Sequence, residues 1–127
     1  MPTEKLETRK VLIADDDDDS RIMLSFILEQ EGWAVSEARD GKEALEKVMQ
    51  NQPDVLVLDN RMPELTGAEV YQRLKAQGVK LGVVFATAYE DLNQLAQALN
   101  IAHFVSKPFD IPELIACIEA AYRDLQR

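Results

Sequence analysis

The chain has 127 residues, 46% of them hydrophobic, which suits a single domain with a real core and leaves no room for a second one. Its 23 acidic residues outnumber 14 Lys and Arg, giving a formal net charge of −9. That balance argues against nucleic acid or an anionic membrane as a direct partner, since phosphate binding needs a basic face.

In chain order, a polar stretch from Met1 to Lys10 carries no apolar signal-peptide core. Val11-Leu12-Ile13-Ala14 then forms a compact apolar strand that runs into Asp15 to Asp19. Ser20 or one of the last aspartates caps a helix reaching about Glu31, with Ile22, Met23, Phe26 and Ile27 on one face and Gly32 ending it. Trp33-Ala34-Val35 reads as a short strand. Asp40 to Glu43 reads as a capping box, opening a helix with Ala44, Leu45, Val48 and Met49 inward. After Pro53, Val55-Leu56-Val57-Leu58 is a strand buried on both faces that stops on Asp59, and Met62-Pro63 breaks regular structure. Thr66 to Glu69 is a second capping box, followed by a helix with Val70 and Leu74 buried and Gly78 as its stop. Leu81 to Ala86 is a fourth strand ending in Thr87, and a helix from about Glu90 to Leu99 follows. Ala102 to Ser106 is a fifth strand leading into Lys107-Pro108-Phe109. Asp110 to Glu113 is a third capping box for the last helix, which carries Leu114, Ile115, Ile118, Tyr122 and Leu125.

Five strand–helix repeats with short links predict a parallel sheet with helices on both faces, a doubly wound α/β fold. We expect one domain over residues 1–127, with a core over about 9–125 and a short polar tail. Cys117 has no partner for an internal disulfide, suits a reducing compartment, and is expected to pack beside a helix face. No run approaches the roughly 18 apolar residues that span a bilayer. A cytoplasmic protein is expected.

In an open parallel sheet, chemistry collects at the carboxyl ends of the strands. There this chain carries Asp15 and Asp16, then Asp59, Thr87 and Lys107. Clustered carboxylates repel unless a cation neutralises them, and hard oxygen ligands at a wet edge suit Mg²⁺. Phosphoryl transfer to a carboxylate needs such a set: a nucleophile, a metal on the phosphoryl oxygens, a cation and a hydroxyl donor. Asp59 is the candidate nucleophile, Lys107 the cation and Thr87 the hydroxyl.

The segments Val11 to Asp17, Leu58-Asp59 with Met62-Pro63 and Gly67, Ala86-Thr87-Ala88 and Lys107-Pro108-Phe109 together resemble the receiver domain of two-component response regulators. The likeness covers about Arg9 to Leu125. It implies a flavodoxin-like strand order of 2-1-3-4-5. It implies that Asp59 accepts phosphate from a sensor histidine kinase, a histidine phosphotransfer protein or a small phosphodonor. Asp16 would hold Mg²⁺ directly, with Mn²⁺ as a substitute, Asp15 through water, and the backbone carbonyl of Arg61 as a further ligand beside Asp59. Thr87 would swing toward the phosphoryl group, Lys107 would pair with it, and Phe104 would be the switch aromatic that rotates inward. The responding face would be the fourth helix, fifth strand and fifth helix, signalling to a downstream protein or a tethered output domain. Arg61 and Tyr89, both bulky, would modulate the site by shielding the acyl phosphate from water. The family's winged-helix branch often has an Arg in the fifth helix at a dimer interface; the matching position here is Cys117, against dimerisation by that route.

Rival readings fit less well. As a calcium loop counted from Asp15, position 6 is Ser20 instead of Gly and position 12 is Phe26 instead of Glu. A phosphatase of the haloacid dehalogenase type expects Thr or Val where Asp19 stands. A receiver-like interaction module that no longer phosphorylates would lack the acceptor, a metal aspartate or the lysine, and all are present. Lone His103 reads as a surface residue.

Overall fold

The computed structural model describes residues 8–126. The part of the expected polar tail before Thr8 lies outside them. The elements are β1 (Lys10–Ala14), α1 (Asp18–Gln30), β2 (Ala34–Ala38), α2 (Gly41–Gln50) and β3 (Val55–Leu58), then α3 (Gly67–Ala76), β4 (Gly82–Ala88), α4 (Tyr89–Ala98), β5 (Phe104–Lys107) and α5 (Ile111–Leu125). All strand pairings are parallel and the order is β2-β1-β3-β4-β5, as expected for the flavodoxin-like α/β fold.

The alternation of side chains along a strand explains the uninterrupted apolar runs. Val11, Ile13, Val55 and Val57 point to one face, where Leu24 and Leu28 of α1 and Leu114 and Ile118 of α5 cover them. Leu12, Leu56, Leu58 and Phe85 point to the other, under Val48 of α2, Leu74 of α3 and Leu92 and Leu95 of α4. A strand buried on both sides has no polar face to display. β2 is an edge strand, paired only with β1. Its outer half therefore includes Ser36 and Glu37, and it extends three residues beyond the Trp33 to Val35 reading while Trp33 itself packs in the core.

Two expectations about helix faces need correction. Ile22, Met23 and Phe26 of α1 face solvent, at 58%, 49% and 62% exposure, while Arg21, Leu24, Ser25 and Leu28 are buried. Both sets recur at helical spacing; the buried one wins because its polar members are satisfied. Ser25 Oγ donates to the Arg21 carbonyl at 2.9 Å, and Arg21 reaches three oxygens. Met49, expected inward on α2, is also exposed.

Helix starts follow the sequence signals closely. Asp17 caps α1, accepting from the Ser20 N–H, and so starts the helix two residues before Ser20. Asp40 and Asp110 accept likewise from Glu43 and Glu113. Among the described residues only Thr66 and Glu69 complete a reciprocal capping box; Glu43 instead accepts from the Arg39 N–H, one residue early. Among the described helices, α4 alone has no side-chain cap. Gly32 and Gly78 end their helices at φ of +94° and +69°, where a side chain is strained. No described helix is long and apolar enough to cross a membrane.

Candidate functional site

The carboxyl ends of β1, β3, β4 and β5 converge on one acidic pocket. Asp15 and Asp59 each extend the sheet ladder by one bond, their N–H groups donating to Ala38 O at 3.1 Å and Ala14 O at 3.0 Å. That fixes both backbones before any side chain is placed. Oxygens of Asp15, Asp16 and Asp59 all lie within 4.8 Å of one another; Asp15 and Asp59 are buried and Asp16 is exposed. Lys107, joined to Pro108 by a cis peptide, reaches back from β5. Its Nζ donates to Asp15 Oδ2 at 2.8 Å and Asp59 Oδ2 at 3.4 Å. The other oxygens are occupied too: Asp15 Oδ1 accepts from the Asp17 N–H and Asp59 Oδ1 from the Asn60 N–H. Thr87 is buried near the end of β4, its Oγ1 accepting from the Asn60 N–H at 3.4 Å and lying close enough to the Asp59 carboxyl to favour its ionised form.

Burial pushes the Asp59 carboxyl up from the ordinary range, opposed by the Thr87 hydroxyl, the Lys107 charge and the Asn60 N–H, and reinforced by the Asp15 charge. Burial acts against the Lys107 charge, but its bonds to Asp15 and Asp59 outweigh this and raise its pKa. Because the folded pKa of Asp59 is raised, the ionised carboxylate works against the fold: its contribution to stability is lost as pH rises through that folded value. Asp59→Asn is therefore expected to be more stable than the parent by about 1 kcal/mol at pH 7, with no gain at a pH below about 4. Thermal melts across that range decide it; a variant that melts below the parent at pH 7 contradicts the charge argument.

The donor set fits a hard divalent cation: three carboxylates, one of them exposed to solvent, converge, and a single lysine pairs with two of them, Asp15 and Asp59. The five residues Asp15, Asp16, Asp59, Thr87 and Lys107 thus come together as expected. Phe104 and Tyr89 do not join them; both side chains are exposed. Arg61 directs its guanidinium to Asp91 of α4, at 2.9 and 3.2 Å, and not to the Asp59 carboxylate. His103 is paired with Asp124 at 2.8 Å, and Cys117 packs against the α5 side of the core, as expected, with its thiol pKa raised by burial.

Three further residues shape the pocket or its surroundings without standing out in the sequence. Arg21 is buried, donating to the Asp15 carbonyl at 2.8 Å, to Glu37 at 2.9 Å and to Asp18 at 2.6 Å, so it holds the acidic loop against α1 and β2. A lone cation in the first turn after five aspartates was its signal. Asn60 pins the loop after Asp59, its Oδ1 accepting from the Ala68 N–H at 3.0 Å. Asp91 left no signal, as an acid in a first helical turn is commonplace.

A doubly wound sheet with this carboxylate, hydroxyl and lysine set at its edge defines a receiver. The chain belongs to the response regulator receiver domain family, whose pattern matches residues 11–119. It is 34% identical over 108 residues to sporulation initiation phosphotransferase F of Bacillus subtilis, covering 83% of this chain and 86% of that one. It spans about half the length of the mycobacterial response regulators MprA that it also matches. The Francisella response regulator 1452 receiver domain superposes with a TM-score of 0.85 at 32% identity, over 92% of this chain and 98% of that one. The response regulator TrrA of Thermotoga maritima, solved in complex with Mg²⁺-BeF, gives 0.81 at 26% identity, over 90% and 99%.

Proposed function

We propose that Asp59 accepts a phosphoryl group from a phosphohistidine of a sensor histidine kinase or phosphotransfer protein, or from a small phosphodonor. The observation that carries this is the convergence on one buried carboxylate of the Lys107 ammonium, the Asn60 N–H and the Thr87 hydroxyl. An Asp59 oxygen attacks phosphorus, the phosphorus–nitrogen bond breaks, and the imidazole leaves with its electron pair. Lys107 pairs with the transferring group and Thr87 swings toward it, both stabilising the charge it carries. Asp15, Asp16, Asp59 and the Arg61 carbonyl would hold Mg²⁺ or Mn²⁺, which neutralises charge on carboxylate and phosphoryl oxygens alike. The Mg²⁺-BeF complex of TrrA supports this assignment.

The phosphorylated site would bias the surface formed by α4, β5 and α5 toward a second state, read by a downstream protein or tethered domain in the cytoplasm. The exposed Ile22, Met23 and Phe26 lie on the helix that starts two residues after Asp16. That apolar face, beside the pocket, suits the protein phosphodonor, which must bring its histidine to Asp59.

The test is intact mass after incubation with acetyl phosphate and Mg²⁺. One phosphoryl group is expected on the parent, none on Asp59→Asn and none with chelator. Phe26→Ser should keep uptake from acetyl phosphate and lose about tenfold from a cognate phosphohistidine protein, a loss expected of one buried aromatic anchor. An added phosphoryl group on Asp59→Asn, or equal uptake with chelator, overturns the reading.

A further inference from the structure

α4 is held unlike the other helices. α1, α2, α3 and α5 each begin on a side chain that accepts from their first turn, whereas α4 begins on Ala88 with no such bond. Its buried residues are only Leu92, Leu95 and Asp91. Asp91 is 4% exposed, and among the described residues its carboxylate bonds to Arg61 alone. The two-pronged contact, at 2.9 and 3.2 Å, comes from a side chain that is itself 75% exposed. An exposed guanidinium thus lies over a buried carboxylate. Arg61 is two residues from Asp59, in the same loop that Asn60 ties to Asp59 Oδ1 and to α3.

We infer that Asp91 is a positioning residue and that the Arg61–Asp91 bridge is a tether holding the start of α4, released when a phosphoryl group on Asp59 competes for the guanidinium. The inference rests on the acceptor reading of Asp59. A buried carboxylate that loses its partner is costly to keep dry, so α4 moves outward to hydrate Asp91. The anion on Asp59 carries more charge than Asp91 and sits on the loop that carries Arg61, which supplies the differential affinity such a shift requires. By linkage, loosening the tether also favours the phosphorylated state. Lysine at position 61 would keep the charge and lose the two-pronged fit.

Amide hydrogen exchange over Leu92 to Leu95, whose N–H groups bond back to the first-turn carbonyls of α4, reads the tether, with amides of β1 and β3 reporting any global opening. Each protein is measured alone and with Mg²⁺ and beryllofluoride, and ¹⁹F spectra confirm bound fluoride. In the parent, beryllofluoride is expected to speed exchange in this turn about tenfold, the loss of one local anchor. In Arg61→Met and Asp91→Asn the turn should exchange about tenfold faster before any ligand is added, and respond less than twofold to it; Arg61→Lys should fall between. Parent-like exchange in both ligand-free variants overturns the tether, as does a full beryllofluoride response in either. A parent that binds fluoride without loosening α4 overturns the release step. Absence of bound fluoride in the parent counts against the acceptor reading, and the ligand-free comparison still decides the tether.

Discussion

Replacing Lys107 with methionine is expected to slow phosphoryl uptake at Asp59 about 10²-fold, the usual loss when one fixed charge on a transferring group is removed. The same change leaves Asp15 and Asp59 facing each other with no cation between them. Stability should fall by about 2 kcal/mol at neutral pH, less than for a fully buried pair because the lysine is partly exposed. The sign of the pH dependence follows from Asp59. Losing the ammonium raises its already elevated pKa further, so the deficit is present where Asp59 is ionised and shrinks as pH falls through its folded value. Saturating Mg²⁺ should restore much of the stability, since a cation relieves the repulsion, but not the rate. Melts with and without Mg²⁺, beside time courses of mass gain, separate the two effects. A Lys107→Met protein with parental uptake would remove the lysine from the chemistry.

Gly67→Ala should cost more stability than Lys107→Met, and slow uptake less, without touching a charge. A Cβ on Gly67 would stand 2.3 Å from the Asp59 carbonyl oxygen and 3.0 Å from Asn60 Cα, and both neighbours are backbone. The Gly67 N–H also donates to Asn60 O at 2.9 Å, so the start of α3 cannot move without moving the acceptor loop. The expected cost is about 3 kcal/mol, at the upper end for overpacking, together with at least a tenfold loss in phosphoryl uptake from a displaced Asp59. Gly41→Ala is the control: its Cβ would stand 2.0 Å from Leu65 O, a similar clash farther from the acceptor. It should destabilise by a similar amount, about 3 kcal/mol, and slow uptake less. Equal uptake by Gly67→Ala and the parent would show that the loop accommodates the methyl group.

The acidic pocket was legible because its residues sit at strand ends, and strands buried on both faces are easy to see. Asp15, Asp59, Thr87 and Lys107 each follow or close an apolar run, so reading the runs located the chemistry. α1 shows where that approach fails. Hydrophobicity marks Ile22, Met23 and Phe26 as a core face, but the fold buries Arg21 and Ser25 in their place. Only the oxygens of Asp15, Asp18 and Glu37, brought together by β1, α1 and β2, make a buried arginine tolerable, and no local pattern announces them. Capping signals likewise located helix starts within two residues but missed that Glu43 bonds to Arg39 and not to Asp40.

The sequence by itself determined the α/β class, the order of elements and the five residues of the acidic pocket. Periodicity, caps and strand-end position are properties of neighbours along the chain. Tertiary structure alone decided which face of α1 meets the sheet, what satisfies Arg21, and where the Arg61 side chain goes. Arg61 and Asp91 are 30 positions apart, joined only because β3 and β4 lie side by side and bring their following loops together. A pairing of that kind depends on register and packing between elements, and burial free energy, not local propensity, selects it.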